Sequence, residues 1–210
     1  KYAGPGRKGS TDTIFFQDTK RDEPDPTAFL VEYDPDRHSN AHYHPLDQFQ
    51  VLVKGKGDFG RHEITPYSVH FSRAFTPYGP LHSAKEGWAF LTLRSRSNGS
   101  KWTDFEKLKH MPDRQPWQIT KKIAFPSHGA GVKLQHDPDI RDDQGLFTCA
   151  LSMAPNAKTT APDPSGGDGQ YIVVVKGGLL HDNREHKALT LVFVKPSEGA
   201  FQVQAGAQGL

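Results

Sequence analysis

The chain has a single cysteine, Cys149, among its 210 residues, so no disulfide can close within it. That usage suits a reducing compartment, and a cytoplasmic location is expected. No apolar run approaches the ~20 residues of a membrane helix. The opening stretch "KYAGPGRKGS" has no apolar core of the kind a secretory signal needs. Charge of one sign is scarce too: 26 Lys+Arg stand against 24 Asp+Glu, with no basic stripe interleaved with aromatics. A nucleic-acid partner and a membrane partner are therefore not expected. The nucleophile elbow G-x-S-x-G and the P-loop are both missing; "GPGRKGS" has neither the spacing nor the preceding strand.

Turn-formers are plentiful, with 20 Gly and 16 Pro. Between them lie apolar runs of strand length: "TIFF" at 13–16, "AFLVEY" at 28–33, "QFQVLV" at 48–53, "SVHF" at 68–71 and "WAFLTL" at 88–93. After a polar stretch come "KIAF" at 122–125, "LFTCALSM" at 146–153, "QYIVVV" at 170–175, "ALTLVFV" at 188–194 and "FQVQ" at 201–204. Many short strands separated by Asp-Pro, Lys-Gly and Ser-Gly-Gly turns predict an all-β sandwich, jelly roll or barrel. One segment, "WTDFEKLKHM" at 102–111, reads as a short helix with Thr103 or Asp104 as N-cap.

The chain repeats itself. A shift of 122 residues lays "QFQVLVKG" (48–55) on "QYIVVVKG" (170–177), and Gln48, Val51, Val53, Lys54, Gly55, Glu63, Phe71 and Gly87 then find identical residues. The second copy reaches Leu210 where the first goes on into "WAFLTL". This predicts two tandem β units. The same shift puts His42 and His44 on Pro164 and Gly166, and His82 on Gln204, so the histidines belong to the first copy alone.

The histidines lie in "HYHPLDQFQ" (42–50). On an extended chain, residues two apart share a face, so His42 and His44 project together, and Gln48 has the same parity. Two imidazoles on one strand, completed from a distant segment, suit a mononuclear metal site. His82 in "PYGPLH" is the candidate for completion, with His70 in "SVHF" as its rival. The pattern H-x-H, then Gln48, then a glycine at Gly55 or Gly57, and later Pro77, Gly79 and His82, resembles the two-part metal motif of the cupin superfamily. Gln48 stands where a carboxylate is usual, and the approach "VHFSRAFTPYGPLH" lacks the usual glycine.

The resemblance implies tandem double-stranded β-helix (cupin, jelly-roll) barrels: an arm over 1–24, a metal-binding barrel over 25–95, a linker with a short helix over 96–119, and a second barrel without metal over 120–210. It implies one divalent transition metal, iron first, with manganese, nickel, zinc or copper as alternatives, held by His42, His44, Gln48 and His82. An amide in place of a carboxylate leaves the site one unit more positive, which favours anionic ligands and a bound water that ionises more easily. Tyr78, in the loop carrying His82, and Gln50, of the same parity as Gln48, are the candidates for catalytic groups. The expected function is a metal-dependent enzyme on a small anionic substrate, a dioxygenase by family precedent. The alternatives are a non-redox isomerase or lyase on a sugar acid or keto compound, and a non-catalytic binding protein. A homodimer is expected.

Overall fold

The structure is a computed structural model that describes residues 9–16, 25–96, 100–127 and 131–210. It divides into two compact units, Lys1–Lys122 and Ile123–Leu210. Of the expected arm, residues 1–8 and 17–24 lie outside the described residues, as do 97–99 of the expected linker. Among the described residues no helix is long and apolar enough to cross a membrane.

Unit 1 holds β1 (Ser10–Phe16), β2 (Thr27–Tyr33), β3 (His38–Ser39), β4 (Gln48–Phe59), β5 (His62–Ile64), β6 (Ser68–Ser72), β7 (Leu81–Arg94) and β8 (Gln118–Lys122). They form one sheet in the order β1-β2-β7-β4-β6-β8, with β3 on β7 and β5 on β4. β4 and β7 are long because register shifts at Leu52/Lys54 and Gly55/Gly57 let them bend while staying paired. Along β4 the even positions Gln48, Gln50 and Leu52 are buried before the register shifts, and the odd positions Gly57 and Phe59 after them. Leu52, Phe59, Tyr78, Trp88 and Phe90 meet in one core cluster, so the inward face changes parity along the strand.

Unit 2 holds β9 (Val132–Arg141), β10 (Phe147–Met153), β11 (Lys158–Thr160), β12 (Gln170–Val173), β13 (Gly178–His181), β14 (Arg184–Lys187), β15 (Leu191–Val194) and β16 (Gln202–Gln204). The pairs β11·β16, β12·β15 and β13·β14 nest inside one another. This is a long antiparallel hairpin rolled up, the plan of a double-stranded β-helix. Its core is apolar: Met153, Val174, Leu179 and Val203, with Ile172, Val192 and Phe201 packed against them.

The repeat holds at the level of single ladder pairs. Gln48↔Ser72 and Gln50↔His70 in unit 1 become Gln170↔Val194 and Ile172↔Val192 in unit 2. Phe59↔His62 becomes His181↔Arg184. Tyr67, at φ 71, and Leu189, at φ 71, turn the chain alike. The offset is not uniform, however. His38↔His82 corresponds to Lys158↔Gln204, an offset of 120 before β4 and 122 after it. His42 and His44 therefore correspond to Pro162 and Pro164, two residues earlier than a uniform shift gives. Close backbone approach explains the shared glycines. A Cβ on Gly55 would run into the Gly87 carbonyl oxygen, and one on Gly177 into that of Gly209.

Three expectations change. "KIAF" is not a strand; β8 ends at Lys122, its first residue. β9, which no apolar run announced, is mostly exposed and carries Pro138, as an edge strand tolerates. The expected short helix is a 3-10 helix, Phe105–His110, with Asp104 at its N-cap but no side-chain cap bond.

Candidate functional site

The site is built where the chain enters β4. His42 sits opposite Tyr78, each N–H donating to the other's carbonyl at 3.1 and 2.9 Å. Tyr43 is paired in the same way with Trp102, and its hydroxyl donates to the Asp104 carbonyl at 2.8 Å. Tyr43 is thus anchored on residues 102–104, and its neighbours His42 and His44 project from the other face of the chain.

Both histidines are buried, and their tautomers are fixed by their partners. His42 Nδ1 faces the Asn40 carbonyl at 2.9 Å, and His44 Nδ1 faces the Ser100 carbonyl at 2.8 Å. A carbonyl only accepts, so each Nδ1 carries the proton and each Nε2 keeps its lone pair. The ring centroids are 5.2 Å apart. Two imidazoles bound at ~2.1 Å to one ion near the tetrahedral angle would place their centroids about 5 Å apart. On this test the pair fits a metal.

Gln48 does not fit as a ligand. Its Oε1 accepts from Arg94 Nε at 3.1 Å and from a terminal guanidinium nitrogen of Arg94 at 2.8 Å, while its Nε2 donates to the Tyr78 hydroxyl at 2.7 Å. Only the oxygen can face a guanidinium, so the amide is locked with its nitrogen toward Tyr78. An amide NH2 is no metal ligand.

His82 is not brought to the pair. It lies on β7 opposite His38 and Asp58, its side chain 43% exposed and its Nδ1 3.8 Å from an Asp58 carboxylate oxygen. The place across from His42 is Tyr78's, and the ring centroids there are 4.5 Å apart. The reason lies in the turn. Phe75, at φ 58, takes the left-handed conformation three residues before Tyr78, just as Gly79 stands three before His82 in the sequence. The chain thus reaches the interior four residues earlier than the P-x-G-x-x-H motif suggests. Among the described residues no group of three or more His, Cys, Asp or Glu is placed to hold a metal ion.

Tyr78 and Gln50 both lie in the interior. Burial raises the Tyr78 phenol's pKa, and Arg94 and the Gln48 and Gln50 amides pull against it without prevailing, so the phenol keeps its proton. His70 lines the same space, stacked on Phe59 at 5.0 Å and 4.9 Å from Tyr78, and its Nδ1 meets Thr120 Oγ1 at 2.7 Å. Burial, aided by His62 and His42, lowers its pKa to about 3, so its ring is neutral. Arg94 is the functional residue that sequence reasoning missed. Its signal was parity: Trp88, Phe90, Thr92 and Arg94 alternate along β7, and the first two belong to the core.

No family model matches the chain, and no curated protein sequence matches it. Solved structures do. A deletion mutant of oxalate decarboxylase from Bacillus subtilis aligns with TM-score 0.62 at 11% identity, over 97% of this chain and 72% of that one. A structure of the same enzyme at pH 4.6 aligns with TM-score 0.56 at 11% identity, over 89% of this chain and 66% of that one. A third, concerned with a reaction specificity switch in oxalate decarboxylase, gives 0.60 at 10% identity, over 97% and 71%. At such identities the likeness is one of fold, and the fold is all-β and of the cupin type.

Proposed function

We propose that unit 1 is a metal-dependent enzyme site of the lyase kind, acting on a small organic anion. The observation that carries this reading is the matched pair His42 and His44, each with its Nδ1–H donated to a backbone carbonyl and their ring centroids 5.2 Å apart. These two residues would hold a divalent ion, with its other positions left to water and substrate. Such an ion, when bound, supplies Lewis acidity toward a carboxylate or carbonyl oxygen.

The chain's own residues supply the rest. Among the described residues of unit 1, no buried side chain is a carboxylate, whereas Arg94 is buried as a cation. The charge of a divalent ion on His42 and His44 would itself favour an anionic ligand there. The Gln48 amide, held by Arg94, fixes the Tyr78 hydroxyl. The phenol is thereby held as a protonated donor beside His42. The lyase alternative is preferred to the dioxygenase because solved structures that share this fold over nearly the whole chain include those of a decarboxylase.

Metal analysis tests the reading. Purified or reconstituted protein should carry about one equivalent of a divalent metal, and turnover should proceed with zinc and without O₂ uptake. His42→Ala with His44→Ala should abolish binding, and His181→Ala, in unit 2, should leave it intact. Occupancy below about a tenth of an equivalent after reconstitution would falsify the metal reading. A second reading, an anion-binding barrel without metal, is favoured by the locked Gln48 amide, which turns a donor toward the site. Metal-free protein that still binds a small carboxylate would establish it.

A further inference from the structure

Unit 2 repeats the ladders of unit 1 up to one strand. In unit 1 the second half of β7, residues 88–94, runs between β2 and β4, antiparallel to both. The matching strands of unit 2 are β10 and β12. β10 pairs with β9 and β12 with β15, and among the described residues no further strand pairs with either. Only the first rung between them is made. Leu210 and Met153 exchange N–H···O bonds at 3.0 and 2.8 Å, where Trp88 pairs with Tyr33 in unit 1.

The walls of that slot differ from those of its filled counterpart. Phe90 lies between Val31 and Leu52, and Thr92 between Phe29 and Gln50. Val31 and Gln50 are thereby buried, whereas their counterparts Leu151 and Ile172 are partly exposed. The Met153 N–H points into the slot, and by alternation so does that of Leu151. The Val174 N–H points away, to Thr190, so that of Val173 points in. At the far end Arg94, six residues after Trp88, donates to Gln48 Oε1 at 3.1 and 2.8 Å. The counterpart Gln170 is 9% exposed, and its Oε1 is the one buried side-chain atom without a partner among the described residues of unit 2. Two facing strand edges are a template for a strand, and a buried acceptor calls for a donor. One register serves both, because a donor six positions beyond the Leu210 rung falls beside Gln170.

We infer that the slot between β10 and β12 binds an extended peptide strand, antiparallel to both and entering after the Leu210 rung. Its second residue lies between Leu151 and Val174 and its fourth between Cys149 and Ile172, so both are apolar. Its sixth carries a guanidinium for Gln170. Main-chain bonds to the two edges supply affinity, and these three side chains supply selectivity.

The probe is the acetylated peptide AFLTLRSR, residues 89–96, whose first six residues fill the equivalent place in unit 1. Titrated into the 210-residue chain, it should bind with a Kd of about 10 μM or tighter and slow hydrogen exchange of the Leu151 and Val173 amides at least about tenfold. N-methylation of the peptide at Phe90 and Thr92, whose N–H groups face β10, should weaken binding at least about tenfold. Arg94→Leu in the peptide should weaken binding about tenfold to the unsubstituted chain and leave binding to Gln170→Leu unchanged. A melting curve establishes that Gln170→Leu folds. No binding at about 1 mM peptide overturns the inference. Equal binding of the N-methylated peptide also overturns it, since the strand edges then play no part. An arginine preference that survives Gln170→Leu overturns the register. Slow exchange of Leu151 and Val173 before peptide is added overturns the peptide as occupant: in a dimer by sedimentation a second copy covers the slot, and in a monomer the two edges close on each other.

Discussion

The two units pair their strands in the same register and fill their interiors with different chemistry. Gln50 faces His70 in one, and Ile172 faces Val192 in the other. His42 and Tyr78 in one correspond to Pro162 and Ala200 in the other. The features common to both are backbone features: the left-handed Gly55 and Gly177, the left-handed Tyr67 and Leu189, and the hairpins that follow. The fold is thus carried by turns and ladder register, and the interior face can be apolar or polar without altering either. Hydrophobic closure alone suffices in unit 2. Unit 1 has replaced part of its apolar filling with imidazoles, amides and a guanidinium, a substitution that costs stability unless it serves a ligand.

The largest effects should come from breaking what the units share. Gly55→Val and Gly177→Val each force a β-branched residue to positive φ and drive a Cβ into a facing carbonyl. Each should cost upward of about 4 kcal/mol in urea unfolding, or prevent folding outright. Equal severity in the two units would support a common scaffold. A harmless Gly177→Val would show that unit 2 has relaxed the close approach.

The next effect separates the units. Gln48 and Gln170 occupy the same ladder position, yet Gln48 satisfies a buried guanidinium and a buried phenol. Gln170 donates only to the Pro162 carbonyl at 3.3 Å and leaves its Oε1 without a partner. Gln48→Leu should therefore cost about 3 kcal/mol by removing its hydrogen bonds to Arg94 and Tyr78. Gln170→Leu should fall within about 1 kcal/mol of neutral, because it removes an unsatisfied oxygen. Equal costs would mean that both glutamines act as strand-entry hydrogen-bonders and that Arg94 gains nothing from Gln48.

A pH experiment sharpens the contrast between His70 and Val192. His70 titrates at about 3 when folded, well below its ordinary value, chiefly because burial penalises the charged ring. Below the ordinary histidine value of about 6.5 the unfolded chain binds a proton that the folded one refuses, so stability falls as pH falls. The slope from this residue approaches about 1.4 kcal/mol per pH unit between those two values and vanishes above them. His70→Val should flatten the acid limb of stability against pH by that amount. An unchanged limb would mean that His70 does not stay neutral in the folded protein.

Much of this was legible in the sequence, and the failures have physical causes. The repeat, the β4 parity and the facing of His42 and His44 could be read from periodicity, since a half-buried strand must alternate. Gln50 and Tyr78 could be named, though not their partners. Arg94 could have been found by extending the same alternation along β7. The third position of the metal motif could not. Glycine normally marks a left-handed turn, and here Tyr67 and Phe75 make such turns without it. Reading glycines therefore led to Pro77-Tyr78-Gly79 and set the motif four residues late. The two-residue change of offset before β4 was hidden likewise, because the identical residues all lie after it.

His82 is where that misreading is tested, and the expected effect is the smallest. On the outer face of β7 it meets Asp58 at 3.8 Å, both side chains being more than two-fifths exposed. An exposed pair at that distance contributes little, because water and salt screen it. His82→Ala should change stability by no more than about 0.5 kcal/mol and leave metal stoichiometry intact, whereas His42→Ala should abolish binding. A metal ion lost with His82 would mean that β7 turns its other face inward on binding. That would carry Leu81 and Ser83, now buried on either side of His82, out into water, against the alternation that holds the strand in place.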